Sequence, residues 1–255
     1  MRILAPALGA MGVLAATTFA PAADEIKVLH AGAFTQVMRP IAWDFEGRTG
    51  NKVVTQRDTV GALTKRIEGG EAFDLAILTP AAIDGLVTKG RIRPGSRTNL
   101  AQVGVGIVVK EGAPRPDIST VDAFRNALLQ AKSVAYIDPQ AGGSSGIYVA
   151  ALLERLGIAA QIKPKSVLVH GGAVADHVAN GEAEIGIHQI SEILPVAGAV
   201  LVGALPQEIQ NYTTYAAGIG SVSRDPDAAA ALIKSFEGER AAAVMRQKGM
   251  APASK

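Results

Sequence analysis

From residue 25 onward, short β-branched runs alternate with segments in which apolar residues recur every three or four positions. The run EIKVLH (25–30) predicts a strand, and Val37, Ile41 and Phe45 share one face of a following helix. Pro40 is expected in the first turn of that helix, where a missing N–H costs little. KVVTQ (52–56) and FDLAIL (73–78) predict two further strands, with the short helix GALTKRIEGG (61–70) between them. Thr79-Pro80 supplies an N-cap and a first-position proline, and Gly90 can end that helix in the left-handed conformation. VGVGIVVK (103–110) is a strand without turn punctuation, as a connection between lobes requires.

A helix over about 121–131 follows, then the strand SVAYI (133–137) and a helix over 147–156. SVLVH (166–170), AVADHVAN (173–180) and EIGIH (184–188) repeat the strand–helix–strand unit. GAVLVGAL (198–205) and YTTYAAGIG (212–220) are strands, and Asp225-Pro226 opens a C-terminal helix interrupted near Gly238. The pattern predicts an α/β fold of two lobes, each a mainly parallel sheet flanked by helices, joined by two hinge crossings. One lobe is expected from 23–104 and 206–255, the other from 105–205.

Residues 1–22 read as a secretory signal: Arg2, an apolar run, then Ala20-Pro21-Ala22 before a cut. A membrane anchor is the rival, but Pro6, Gly9 and Gly12 interrupt the run and no basic stop-transfer flank follows. A mature protein in the periplasm is therefore expected. The formal charge is only +2 and no Lys/Arg stripe alternates with aromatics, which argues against a nucleic-acid partner. The chain has no cysteine, so disulfides, thiolate zinc and a lipidated cysteine are excluded.

The stretch DPQAGGSSGIYVAALLERLG (138–157) contains G-x-S-x-G at Gly142, Ser144 and Gly146. A nucleophile elbow needs the strand to run almost directly into the first glycine, whereas Asp138 to Ala141 intervene here. Asp176 and His177 or His188 are nominal triad partners, so a serine hydrolase stands as the alternative class. An anion cradle needs less: free N–H groups at a helix start, glycines that admit a ligand, and the Ser144 and Ser145 hydroxyls. HAGAFT (30–35), RDTVGA (57–62), HGGA (170–173) and HQIS (188–191) occupy equivalent strand-to-helix positions. In a parallel sheet all such loops open on one edge, where ligands bind. Candidate ligand contacts thus include Phe34, Ser144, Gly172 and His188. His30, Arg57 and His170 are candidate ion partners. Protonated histidines would contact a multiply charged ligand, and a three-histidine metal site is a weaker variant.

In order and spacing, VLHAGAFTQVMRPIAWDFEGRTG, LTKRIEGGEAFDLAIL, DPQAGGSSGIYVAALLERLG, VANGEAEIGIHQISE and GERAAAVMRQKGM resemble the periplasmic molybdate-binding family. These are solute-binding proteins of ABC importers. The resemblance implies two α/β lobes closing over an oxyanion held by neutral donors, with delivery to a membrane permease. It implies a monomer with no cofactor and no chemistry. Carried over by position, the family's loop serines fall on Ala33 and on Val60, which lies beside Thr59 and Gly61. Its backbone donors fall on Ser145 and Gly171, and its tyrosine on Gln189. Loss of three hydroxyl donors opens a second ligand class, small di- or tricarboxylates, with Arg57 or a histidine as ion partner.

Overall fold

The computed structural model describes residues 25–253, so the signal segment 1–22 lies outside the described residues. In chain order the elements begin with β1 (Glu25–Ala31), α1 (Thr35–Thr49), β2 (Lys52–Asp58), α2 (Val60–Glu68), β3 (Leu75–Leu78) and α3 (Pro80–Thr88). β4 (Thr98–Lys110), α4 (Val121–Gln130), β5 (Val134–Ile137), α5 (Ser144–Arg155), α6 (Ala159–Ile162) and β6 (Ser166–Val169) follow. Next come α7 (Val174–Ala179), β7 (Ile185–Gln189), α8 (Ile190–Ile193) and β8 (Ala199–Ala204). The chain closes with β9 (Tyr212–Ile219), α9 (Pro226–Lys234), α10 (Gly238–Gln247) and β10 (Met250–Pro252).

The strands form one continuous path, β2-β1-β3-β9-β4-β7-β5-β6, with β8 and β10 also paired to β4. Each end of the path is a parallel triplet: β2, β1 and β3 at one end, β7, β5 and β6 at the other. The centre is antiparallel, because β9 and β4 run between the two triplets. β4 carries both halves on one strand. Its first stretch, Thr98–Gly104, pairs with β9, while Val105–Val109 pairs with β7. A 13-residue strand with no proline can do this, and Val103, Val105, Ile107 and Val108 are buried along it.

Two apolar clusters flank each triplet. In the first half, α1, α9 and α10 cover one sheet face through Phe34, Phe45, Leu232 and Met245, and α2 and α3 cover the other through Leu63, Ile67 and Ile83. In the second half, Phe124, Leu128, Leu152 and Ile162 fill one face and Val174, Val178 and Ile193 the other. Each fully buried Leu, Ile or Phe contributes about 2–3 kcal/mol, so each half holds a core of its own.

Pro40 does not lie in the first turn of its helix. α1 starts at Thr35, so Pro40 falls inside it and leaves the Gln36 carbonyl without its helical donor. The glycines of G-x-S-x-G serve packing. Gly142 takes φ +74°, and a Cβ on Gly146 would come within 2.3 Å of the Ile137 carbonyl oxygen, so Gly146 lets α5 lie against β5.

Candidate functional site

Each triplet opens its own C-terminal edge, and because β9 and β4 pair antiparallel between them, the two triplets run in opposite directions and those edges face each other across the cleft. All five strand-to-helix loops singled out in the sequence reach one cavity of about 190 Å³. Its lining includes Ala31–Ala33, Arg57–Val60, Gly143–Ser145, Gly171, Gly172, His188 and Gln189. The volume suits a small ligand and is below that of a drug-sized pocket. Thr59 caps α2 by accepting from the Ala62 amide at 3.1 Å, which keeps the loop's backbone pointed at the cavity.

The cavity is closed by contacts between the two halves. The Gly61 amide donates to the Gly142 carbonyl at 3.1 Å, and Thr59 Oγ1 donates to the Ala141 carbonyl at 2.5 Å. Gly61 and Gly142 approach so closely that a Cβ on Gly61 would lie 2.9 Å from the Gly142 Cα. Ser191 Oγ donates to the Ala33 carbonyl at 2.9 Å across the same gap. Gly61 therefore belongs to the clasp and does not line the cavity.

Four other expected residues lie elsewhere. Phe34 is fully buried against Tyr215 and Phe236, because its ring belongs to the α1 core. His30 is buried, bonded through Nδ1 to its neighbour's carbonyl, and lines a separate groove with Thr35, Met38 and Arg39. Strand alternation sends its ring to the α1 side of the sheet. His170 follows β6, the outermost strand, and its side chain is 82% exposed, 3.1 Å from Asp138. His177, one of the nominal triad partners, pairs with Glu182 on the surface. Ser144 Oγ is bonded to Tyr215 and Gln189, with no imidazole in hydrogen-bond reach, so nothing supports the hydrolase alternative. No group of three His, Cys, Asp or Glu among the described residues stands where it could hold a metal ion.

Protonated histidines are also ruled against. Burial lowers His30 from its ordinary value and lowers His188 to about 3, so both are neutral near pH 7. His188 Nδ1 is buried without a partner. Its Nε2 lies 3.3 Å from Glu192 Oε2. Burial raises Glu192 to about 8, with the Arg57 charge pulling the other way. The contact satisfies the distance for an ion pair, yet the buried imidazole and the largely enclosed carboxyl favour a neutral pair in which the carboxyl hydrogen is donated to Nε2.

Glu192 and Tyr215 are cavity residues that the sequence did not single out. Glu192 sits four residues after His188 in a one-turn helix, and its Oε1 reaches the first half, where a Cβ on Gly32 would meet it at 2.7 Å. The His188–Glu192 spacing at a strand end was the available signal. Tyr215 lies mid-strand in β9 and carried none.

Residues 26–251 match the model of a family described as bacterial extracellular solute-binding protein. The chain belongs to that family. Among relatives of this solute-binding protein, aconitate isomerase from Pseudomonas sp is 33% identical over 259 residues, covering 98% of this chain and 97% of that one. The molybdate-binding protein ModA of Azotobacter vinelandii is 29% identical over 261 residues, 96% of each chain. The solved structure of the periplasmic molybdate-binding protein of Azotobacter vinelandii superposes with a TM-score of 0.77 at 19% identity, over 90% of this chain and 100% of that one. The resemblance to the molybdate-binding proteins and the two-lobed α/β architecture thus hold for this solute-binding protein. The expectation of no chemistry does not. Similarity to an isomerase over nearly the full length overturns it.

Proposed function

We infer that the cavity binds a small polycarboxylate and interconverts its double-bond isomers by moving one proton, with aconitate as the substrate class. The observation that carries this reading is Glu192: a largely enclosed carboxyl, raised to about 8, inside a cavity that also holds Arg57, Asp58 and several loop amides. An inorganic oxyanion can accept from the protonated carboxyl but makes no use of it as a base. A carbon acid does, because a base titrating near the working pH transfers protons efficiently.

In this reading the Arg57 guanidinium and loop amides hold two carboxylates of the substrate. Ionised Glu192 takes a proton from the methylene carbon, and the C–H electron pair spreads over the three-carbon allyl unit and its carboxylate. Amide N–H groups of the loops face the charge that develops there. Glu192 then returns the proton to the opposite end of the allyl unit, and the double bond re-forms with the other geometry. Nothing is gained or lost overall.

A tetrahedral oxyanion such as molybdate is the second reading of the ligand, favoured by the five converging loops and the similarity to ModA. With either ligand, we propose a periplasmic monomer whose halves, dividing near 104/105 and 205/206, hinge about β4 and the link into β9 beside an ABC permease. The deciding experiment mixes the purified protein with cis-aconitate and follows the solution by proton NMR. Growth of the trans isomer supports the isomerase reading. Unchanged cis-aconitate, together with a thermal shift from molybdate alone, would end it; a ligand at a hundredfold its Kd adds about 2.7 kcal/mol of stability.

A further inference from the structure

Tyr215, Gln189 and Ser144 form a closed triangle of polar atoms at the cavity wall. Tyr215 Oη lies 2.9 Å from Gln189 Oε1, Gln189 Nε2 lies 3.1 Å from Ser144 Oγ, and Ser144 Oγ lies 3.3 Å from Tyr215 Oη. The directions of these bonds follow from chemistry. Gln189 Oε1 can only accept, so the single phenol hydrogen goes to it. Gln189 Nε2 then faces Ser144 and donates to its oxygen. Ser144 closes the triangle by donating its hydroxyl hydrogen to Tyr215 Oη, so what the triangle can still offer an arriving molecule is the second Gln189 N–H. That group is a donor, and the oxygen of the glutamine side chain is occupied by the phenol.

The triangle also joins the two halves. Tyr215 belongs to the first-half core, packed on Phe34 at a ring-centroid distance of 6.2 Å, and is 1% exposed. Gln189 and Ser144 stand at the ends of second-half elements, Gln189 opposite Val105 on β4. Burial and the neighbouring Glu192 push the phenol's titration up, so it remains a donor throughout the working range.

We propose that Tyr215 is a positioning residue that locks the Gln189 amide with its nitrogen toward Ser144, and so makes Gln189 a donor for carboxylate or other anionic oxygens in the closed cleft. The proposal rests on the polycarboxylate reading only for its first probe. Calorimetry with tricarballylate, a saturated tricarboxylate that cannot isomerise, and separately with molybdate, is run on wild type, Tyr215→Phe, Gln189→Leu and the double variant. Whichever probe wild type binds is used for the comparison, so a tricarballylate failure with molybdate binding intact corrects the function and still tests the triangle.

Tyr215→Phe keeps the ring packing, and its melting temperature is checked alongside. The expected result is about tenfold weaker binding for Tyr215→Phe, with no further loss when it is added to Gln189→Leu. Gln189→Glu, which turns the wall into an acceptor, is expected to bind at least a hundredfold more weakly than wild type. Binding by Tyr215→Phe within twofold of wild type, losses that multiply in the double variant, or tight binding by Gln189→Glu would each overturn the proposal.

Discussion

The two halves of the cleft contribute in different ways. The first half presents backbone around Ala31–Ala33 and Thr59–Val60, together with Arg57, Asp58 and the Tyr215 phenol, at positions where Ala33 and Val60 carry no hydroxyl. The second half presents side chains: Ser144, Ser145, His188, Gln189 and Glu192. Backbone amides at loop ends belong to the fold and serve any anion, whereas side chains can be exchanged singly without disturbing the sheet. On the proposed reading, the loop backbone supplies the general capacity for anions, and the second half's side chains, Glu192 above all, decide ligand and chemistry.

The largest expected effect breaks the second half's chemical role. Glu192→Gln should lower the isomerisation rate at least a hundredfold while retaining affinity for tricarballylate, as rate assays beside calorimetry would register. In wild type the rate should rise with pH through about 8, since the base must be ionised. A flat profile would remove Glu192 from that role.

Next in size is packing under the second half's loop. Gly146→Ala places a methyl group 2.3 Å from the Ile137 carbonyl oxygen and should cost about 3 kcal/mol in urea unfolding, with α5 pushed off β5. Wild-type stability after this change would mean that α5 is not held against the sheet as described.

Stability against pH sharpens the same contrast. Glu192 has a folded pKa above its unfolded value, so its stabilising contribution is complete below the unfolded pKa and is lost as pH rises toward about 8. His188 is lowered to about 3, so its contribution is present above its unfolded pKa and is lost as pH falls. The two oppose each other between about pH 4.5 and 6.5, and above that Glu192 acts alone. Unfolding free energy should therefore drop by about 2 kcal/mol between pH 6.5 and 8, and Glu192→Gln should abolish that drop. An unchanged slope in the variant would place its carboxyl in water.

The smallest effect tests the first half's share of the clasp. Thr59→Val removes the cap on α2 and the bond to the Ala141 carbonyl, and should cost about 1–2 kcal/mol by thermal unfolding. It should also weaken tricarballylate binding about tenfold at both pH 6.5 and pH 8. Full stability in this variant would separate clasp from cap.

Much of this was legible in local sequence. A β-branched run, a Gly or Ser loop and a helical period announce each strand-to-helix turn; parallel pairing gathers the turns of each half on one edge, and the antiparallel centre, which no local period announces, sets the two edges face to face. The roles of individual side chains were less accessible. His30 looked equivalent to His188, yet alternation along β1 turned it to the far face. His170 had the same local setting and ended exposed, because strand order had placed β6 outermost. Glu192 is made significant by burial and by Gly32 across the cleft, and Tyr215 by its meeting with Gln189. Those are contacts between residues far apart in the chain, which no local period encodes. The G-x-S-x-G spacing was legible and misleading in equal measure, since two of its glycines answer to close backbone packing.

The claim that a buried carboxyl gives this solute-binding fold its chemistry is tested most directly by the initial rate of trans-isomer formation from cis-aconitate at pH 8, wild type beside Glu192→Gln. Turnover in wild type and none in a variant that still binds tricarballylate is the predicted result. Equal turnover in the two proteins would contradict it.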